Sequence, residues 1–175
     1  MLEKARSVSA GEAMRIDDDL FALALALGRA ALAKGAMITT AESCTGGLLA
    51  GAITAVAGSS DWFERGFVTY SNASKSELLF VPEESIERFG AVSEEVARAM
   101  AEGALRASRA QWAVAVTGTA GPAGGTAEKP VGTVCFAWAG PAGASSERRF
   151  LPGDRAAIRR ESVAVALRGL IGRLA

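Results

Sequence analysis

The apolar positions of the chain repeat at two periods, one helical and one extended. From Asp18 to Lys34, Leu20, Leu23, Ala24, Leu27 and Ala31 fall on one stripe and predict an Ala/Leu-rich helix that Gly35 ends. Leu23–Leu27 also alternates at period two, but the segment is too long for an ordinary strand. Met37–Ala41 predicts the first strand. After a polar turn, Leu48, Leu49, Ala52, Ile53 and Val56 recur at helical spacing up to a stop at Gly58. Phe67–Tyr70 predicts a second strand, followed by short helices from Asn72 to about Phe80, before Pro82, and from Glu83 to Phe89. Ser93 is a good N-cap, with Glu94 and Glu95 in the positive first turn and Val96, Ala97, Met100, Ala101, Ala104 and Leu105 on one stripe.

Trp112–Val116 predicts a third strand, and residues 117–130 are too rich in glycine and proline for a regular element. Gly132–Trp138 and Glu147–Leu151 predict two strands joined by a Pro/Gly turn. A last helix opens near Asp154 and buries Val163, Ala166, Leu167, Leu170, Ile171 and Leu174. Strands alternating with helices predict an α/β domain with a mostly parallel sheet, and the closely linked last two strands predict one antiparallel member. The expected organisation is an N-terminal extension over 1–17, which lacks clear periodicity, and a single domain over 18–175.

Composition narrows the function classes. The chain has 175 residues, half of them apolar, enough for one domain with a substantial core. Its 19 basic and 19 acidic residues cancel, so there is no global field to draw it to nucleic acid or an anionic membrane. Leu20–Leu27 falls well short of the ~20 apolar residues of a spanning helix, and acidic Asp17–Asp19 precede it where a signal peptide carries basic ones. Cys44 and Cys135 make no disulfide framework and, without histidine, no four-ligand zinc site. A reduced, cytoplasmic setting is expected.

The absence of histidine also removes the usual base for a serine or cysteine nucleophile. Thr39-Thr-Ala-Glu-Ser-Cys-Thr-Gly-Gly47 stands at a strand–turn–helix junction, where open α/β sheets bind ligands. If Ser43 is a nucleophile, a lysine must take its proton. The following helix N-terminus can serve an oxyanion or phosphate. Ser43 or Thr45 can equally be no more than a helix N-cap, and Cys44 is a rival nucleophile. Lys75, in the first turn of its helix, is the natural base. The helix dipole, worth ~0.3–1 kcal/mol, is too weak to neutralise it, so burial would have to do so. The alternative is an ordinary exposed lysine. Ser59 and Ser60 offer a proton relay or merely local backbone bonds. The Thr117–Pro122 loop lacks the lysine of a P-loop and is either an anion cradle or a long turn. Arg155 and Arg159 can clamp a phosphate or simply face solvent.

Thr40–Gly47, Gly58-Ser-Ser60, Val68–Asn72 with Lys75, Gly90–Ser93, Val116–Pro122, Lys129–Thr133 and Gly153–Arg155 occur in that order. Together they resemble the CinA C-terminal-domain family, whose characterised members are nicotinamide mononucleotide (NMN) deamidases. The resemblance implies a three-layer α/β/α sandwich with a mixed five-stranded sheet, one strand antiparallel. It implies hydrolysis of the NMN carboxamide to nicotinate mononucleotide and ammonia, in pyridine nucleotide salvage, with no metal or organic cofactor. The family's catalytic positions fall on Ser43, Lys75 and the accessory Ser60. Its substrate-pocket positions fall on Tyr70, Thr117, Gly118 and Arg155, while N–H groups near Cys44, Thr45 and Gly46 would hold the oxyanion. A stand-alone form is expected, without the N-terminal nucleotide-processing domain of many members. A homo-oligomer is also expected, acting on a small molecule with neither nucleic acid nor membrane as partner. The competing expectation is a catalytically silent nucleotide- or phosphate-binding module of the same fold.

Overall fold

The computed structural model describes residues 16–175. The expected extension over 1–17 therefore lies outside the described residues except for Ile16 and Asp17. Helices α1 (Asp18–Lys34), α2 (Leu48–Thr54), α3 (Asn72–Leu79), α4 (Glu83–Phe89), α5 (Glu94–Arg106) and α6 (Arg155–Leu174) surround five strands. The strands are β1 (Ile38–Glu42), β2 (Phe63–Val68), β3 (Trp112–Gly118), β4 (Thr133–Gly140) and β5 (Gly143–Phe150). The sheet order is β2-β1-β3-β4-β5. β2, β1 and β3 run parallel, while β4 is antiparallel to both neighbours, so it alone opposes the other four.

Alternation along the central strands divides the core into two layers. Val114, Val116, Val134, Phe136 and Trp138 face α1, α2 and α6. Ala113, Ala115, Cys135, Ala137 and Ala139 face α5, together with Leu79 and Val81 from the α3 side. Large residues fill the first interface and small ones the second, which lets α5 lie close to the sheet. The result is the expected three-layer α/β/α sandwich. Both cysteines are buried and unpaired with each other. No described helix is long and apolar enough to cross a membrane.

The boundaries of α1 match those predicted, because Asp17 accepts from the Leu20 N–H at one end and Gly35 takes the left-handed conformation at the other. Two strands differ from prediction. β2 occupies Phe63–Val68 rather than 67–70, and β5 begins at Gly143 rather than Glu147. Both are edge strands whose exposed and half-buried positions show no clean alternation.

The topology locates a crevice. The chain leaves β1 for β2 on one side, and β3 lies on the other, so the two connections diverge above the carboxyl ends of β1 and β3. Open α/β sheets bind ligands at such a switch point.

Candidate active site

The turn that follows β1 opens into this crevice. Glu42, the last residue of β1, is fully buried beneath it. Its carboxylate accepts three N–H groups: Gly47 at 3.0 Å and Leu49 at 3.0 Å through Oε2, and Ala50 at 2.8 Å through Oε1. The N-cap of α2 is Gly47, which has no capping side chain, so Glu42 supplies the cap from outside the helix. This corrects two expectations: neither Ser43 nor Thr45 caps α2, and the α2 N-terminus is not free to bind an anion.

Between Glu42 and α2, the Ser43 N–H donates to the Val116 carbonyl at 2.9 Å, tying the turn to β3. The Gly46 N–H donates to Ser43 O at 3.0 Å. Among the described residues, the N–H groups of Cys44 and Thr45 donate to no backbone carbonyl. Gly46 at φ 58° and Gly47 at φ 95° close the turn in the left-handed region, where glycine carries little strain. Arg159 reaches over from α6, donating through Nε to Cys44 O at 3.1 Å and through Nη2 to Thr45 O at 2.9 Å.

Lys75 meets this turn from the opposite layer. Ser71 caps α3 by accepting from the Ser74 N–H, which sets Lys75 one turn into the helix and facing inward. Its side chain is only 1% exposed. Nζ donates to Thr69 O at 2.8 Å and lies 3.0 Å from Ser43 Oγ. Burial lowers the Lys75 pKa from the ordinary lysine value, opposed by the neighbouring Cys44. The shift expected from desolvation is present, so this is not an ordinary surface lysine. The Cys44 thiol is pushed up to about 12, chiefly by burial. At neutral pH it stays a thiol, a poor rival to Ser43.

The pair opens on a cavity of about 520 Å³. Ser43, Cys44, Tyr70 and Lys75 form one wall; Thr117, Gly118 and the loop as far as Gly124 form another. Thr117 is held by donating Oγ1 to Ala91 O at 2.8 Å. At the rim Arg155 donates to Gly121 O at 2.6 Å and to the Tyr70 hydroxyl at 3.2 Å. The N–H groups of Ala120, Gly121, Ala123 and Gly124 have no backbone acceptor among the described residues, which leaves them available to an anion.

The expected residues Ser43, Lys75, Cys44, Tyr70, Thr117, Gly118 and Arg155 are thus brought together. Thr45 and Gly46 belong to the turn but not to the cavity wall. Ser60 is not brought to the pair. It is exposed in the 3₁₀ turn Ser59–Asp61 that leads into β2, at the amino ends of the parallel strands. The length of β1 separates it from Ser43, roughly 15 Å at ~3.3 Å per residue. Arg159 lies behind the turn and does not line the cavity, so it is not placed to clamp a phosphate there.

Several residues escaped the sequence reading. Asn72, Ala91 and Val92 also line the cavity; they lie in the Val68–Asn72 and Gly90–Ser93 stretches that carry the resemblance, where no site role was assigned to them. Glu42 did carry a signal. It is an acid at a strand end, followed by a short helix with no acidic residue in its first turn.

Comparison with known proteins places the chain in a family. The family model "CinA C-terminal domain" matches residues 21–174. The nicotinamide-nucleotide amidohydrolase PncC of Escherichia coli K12 is 54% identical over 155 residues, covering 88% of this chain and 94% of that protein. PncC of Pseudomonas putida is also 54% identical, covering 88% of this chain and 96% of its own. The crystal structure of competence/damage inducible protein CihA from Agrobacterium tumefaciens superposes with a TM-score of 0.88 at 47% identity, covering 91% of this chain and 98% of its own. The chain belongs to the CinA C-terminal domain family.

Proposed function

We propose that this protein is an amidohydrolase that converts NMN to nicotinate mononucleotide and ammonia, with Ser43 as nucleophile and Lys75 as general base. The observation that carries the reading is the buried Lys75 Nζ 3.0 Å from Ser43 Oγ at the wall of a nucleotide-sized cavity. The names and identities of the PncC relatives support the substrate.

Neutral Lys75 takes the Ser43 proton as Oγ attacks the carboxamide carbon. The resulting oxyanion accepts from the Cys44 N–H, which stands at the cavity wall and has no carbonyl partner among the described residues. The ammonium of Lys75 then protonates the departing nitrogen, releasing ammonia and leaving a nicotinoyl ester on Ser43. Water, deprotonated by the same lysine, hydrolyses the ester. Lys75 touches Ser43 directly, so no relay through Ser60 is required.

Adding NMN should release ammonia and nicotinate mononucleotide in equal amounts. Ser43→Ala should abolish release while still binding NMN. Binding without turnover by the unmodified protein would instead identify a silent nucleotide-binding module.

A further inference from the structure

Glu42 and Arg159 take no part in the bond-making steps above, yet both side chains are committed to the turn that carries Ser43. They grip it through opposite kinds of group: the carboxylate holds the N–H groups of Gly47, Leu49 and Ala50, and the guanidinium holds the carbonyls of Cys44 and Thr45. A trans peptide points its C=O and the following N–H in opposite directions. Drawing Cys44 O toward α6 therefore turns the Thr45 N–H away from α6, and drawing Thr45 O the same way sends the Gly46 N–H to Ser43 O.

We propose that Glu42 and Arg159 form a two-sided clamp of positioning residues that fixes Ser43 against Lys75 and holds the turn so that the Cys44 N–H at the cavity wall stays free for the oxyanion. The proposal rests on the Ser–Lys reading above.

Each side needs the residue that occupies it. Glu42 accepts through both oxygens. A glutamine has one oxygen and would set its NH2 against an N–H donor. The planar fork of Arg159 spans two successive carbonyls, which the single ammonium of a lysine cannot do in the same geometry.

The test compares Arg159→Gln, Arg159→Lys and Glu42→Gln with Arg160→Gln, whose side chain bonds Asp17 at the start of α1 instead of the turn. Three quantities are measured: kcat and KM for NMN, the rate at which a fluorophosphonate labels Ser43 (followed by mass spectrometry), and the thermal midpoint. Arg159→Gln should lower kcat and the labelling rate together by roughly tenfold to a hundredfold, as expected for a reacting group displaced by ~1 Å. Its KM should stay within about twofold of the parent. Arg159→Lys should fall between, and Arg160→Gln should match the parent in kcat and labelling. If Glu42→Gln does not fold, the Arg159 variants decide the matter alone. Parental kcat and labelling in Arg159→Gln would overturn the clamp, as would a raised KM with kcat retained, which would make Arg159 an anion-binding residue. The labelling rate needs no NMN. It therefore still tests the clamp if the parent releases no ammonia from NMN, a result that would count against the proposed substrate.

Discussion

Burial takes Lys75 out of water and lowers its pKa below the ordinary lysine value. The base must be neutral to act, so kcat/KM should rise with pH through the lowered Lys75 pKa and level off below the ordinary lysine range. A pH–rate profile that keeps climbing to the ordinary lysine value would show that Lys75 is not the base. Lys75→Arg should be nearly as inactive as Lys75→Ala, because a guanidinium stays protonated. Cys44→Ala should keep most of the activity, since a thiol pushed up to about 12 is not ionised at neutral pH. The same lysine links stability to pH. Its folded pKa lies below the unfolded one, so between the two values the unfolded chain binds more protons and stability rises with pH. Methionine at position 75 does not titrate. The parent should therefore gain stability relative to Lys75→Met as pH rises through that window, and a pH-independent difference in urea unfolding would contradict the burial-driven shift. The polar turn and the missing histidine pointed from the sequence to Ser43 and a lysine partner, and the fold sets Lys75 Nζ 3.0 Å from Ser43 Oγ. Glu42 was missed although it carried a signal, an acid at a strand end before a helix with no cap of its own, because its role shows only once the chain folds back and one carboxylate meets N–H groups up to eight residues away.

At the scale of elements, the long amphipathic segments were legible because one stripe alone decides them. α1, α5 and α6 appear where the apolar spacing places them. β2 runs from Phe63 to Val68, so its interior holds Gly66, a residue that ordinarily weakens a strand. In the fold it is there for close approach, since a Cβ would stand 2.8 Å from Thr40 Oγ1 and 3.1 Å from the Ala50 Cβ. Gly103 plays the equivalent part between helices: a Cβ there would meet Leu79 O at 1.8 Å, far inside contact distance. α3 carries Lys75, so the closeness of α3 to α5 bears on the site. Gly103→Ala should push the two helices apart at a cost of about 1–3 kcal/mol or more, and should lower activity through Lys75. Unfolding in urea gives the stability change, and a variant as stable and active as the parent would show that α3 does not depend on this contact.

At the scale of the whole molecule, the cavity is assembled from stretches far apart in sequence: the β1 turn, the segment from Tyr70 to Lys75, Ala91–Val92, the loop after β3, and the start of α6. With 19 positive and 19 negative charges there is no overall field to gather an anionic substrate, so affinity for a phosphate must come from local contacts. Those contacts cannot come from α2, whose first N–H groups Glu42 already holds, or from Arg159, which holds the turn. They remain at Arg155 and the N–H groups of Ala120, Gly121, Ala123 and Gly124, which have no backbone acceptor among the described residues. NMN should therefore bind much better than nicotinamide riboside, which lacks the phosphate. A hydrogen bond to a charged group is worth ~1.5–3 kcal/mol, so losing one or two should weaken binding roughly tenfold to ten-thousandfold at ~1.4 kcal/mol per tenfold. Arg155→Ala should weaken NMN while sparing the riboside, narrowing the gap between them in calorimetric titrations. Equal affinities in the parent would eliminate a phosphate subsite. An unchanged gap in Arg155→Ala would assign the phosphate to the loop N–H groups alone, leaving Arg155 to hold Gly121 and Tyr70 in place.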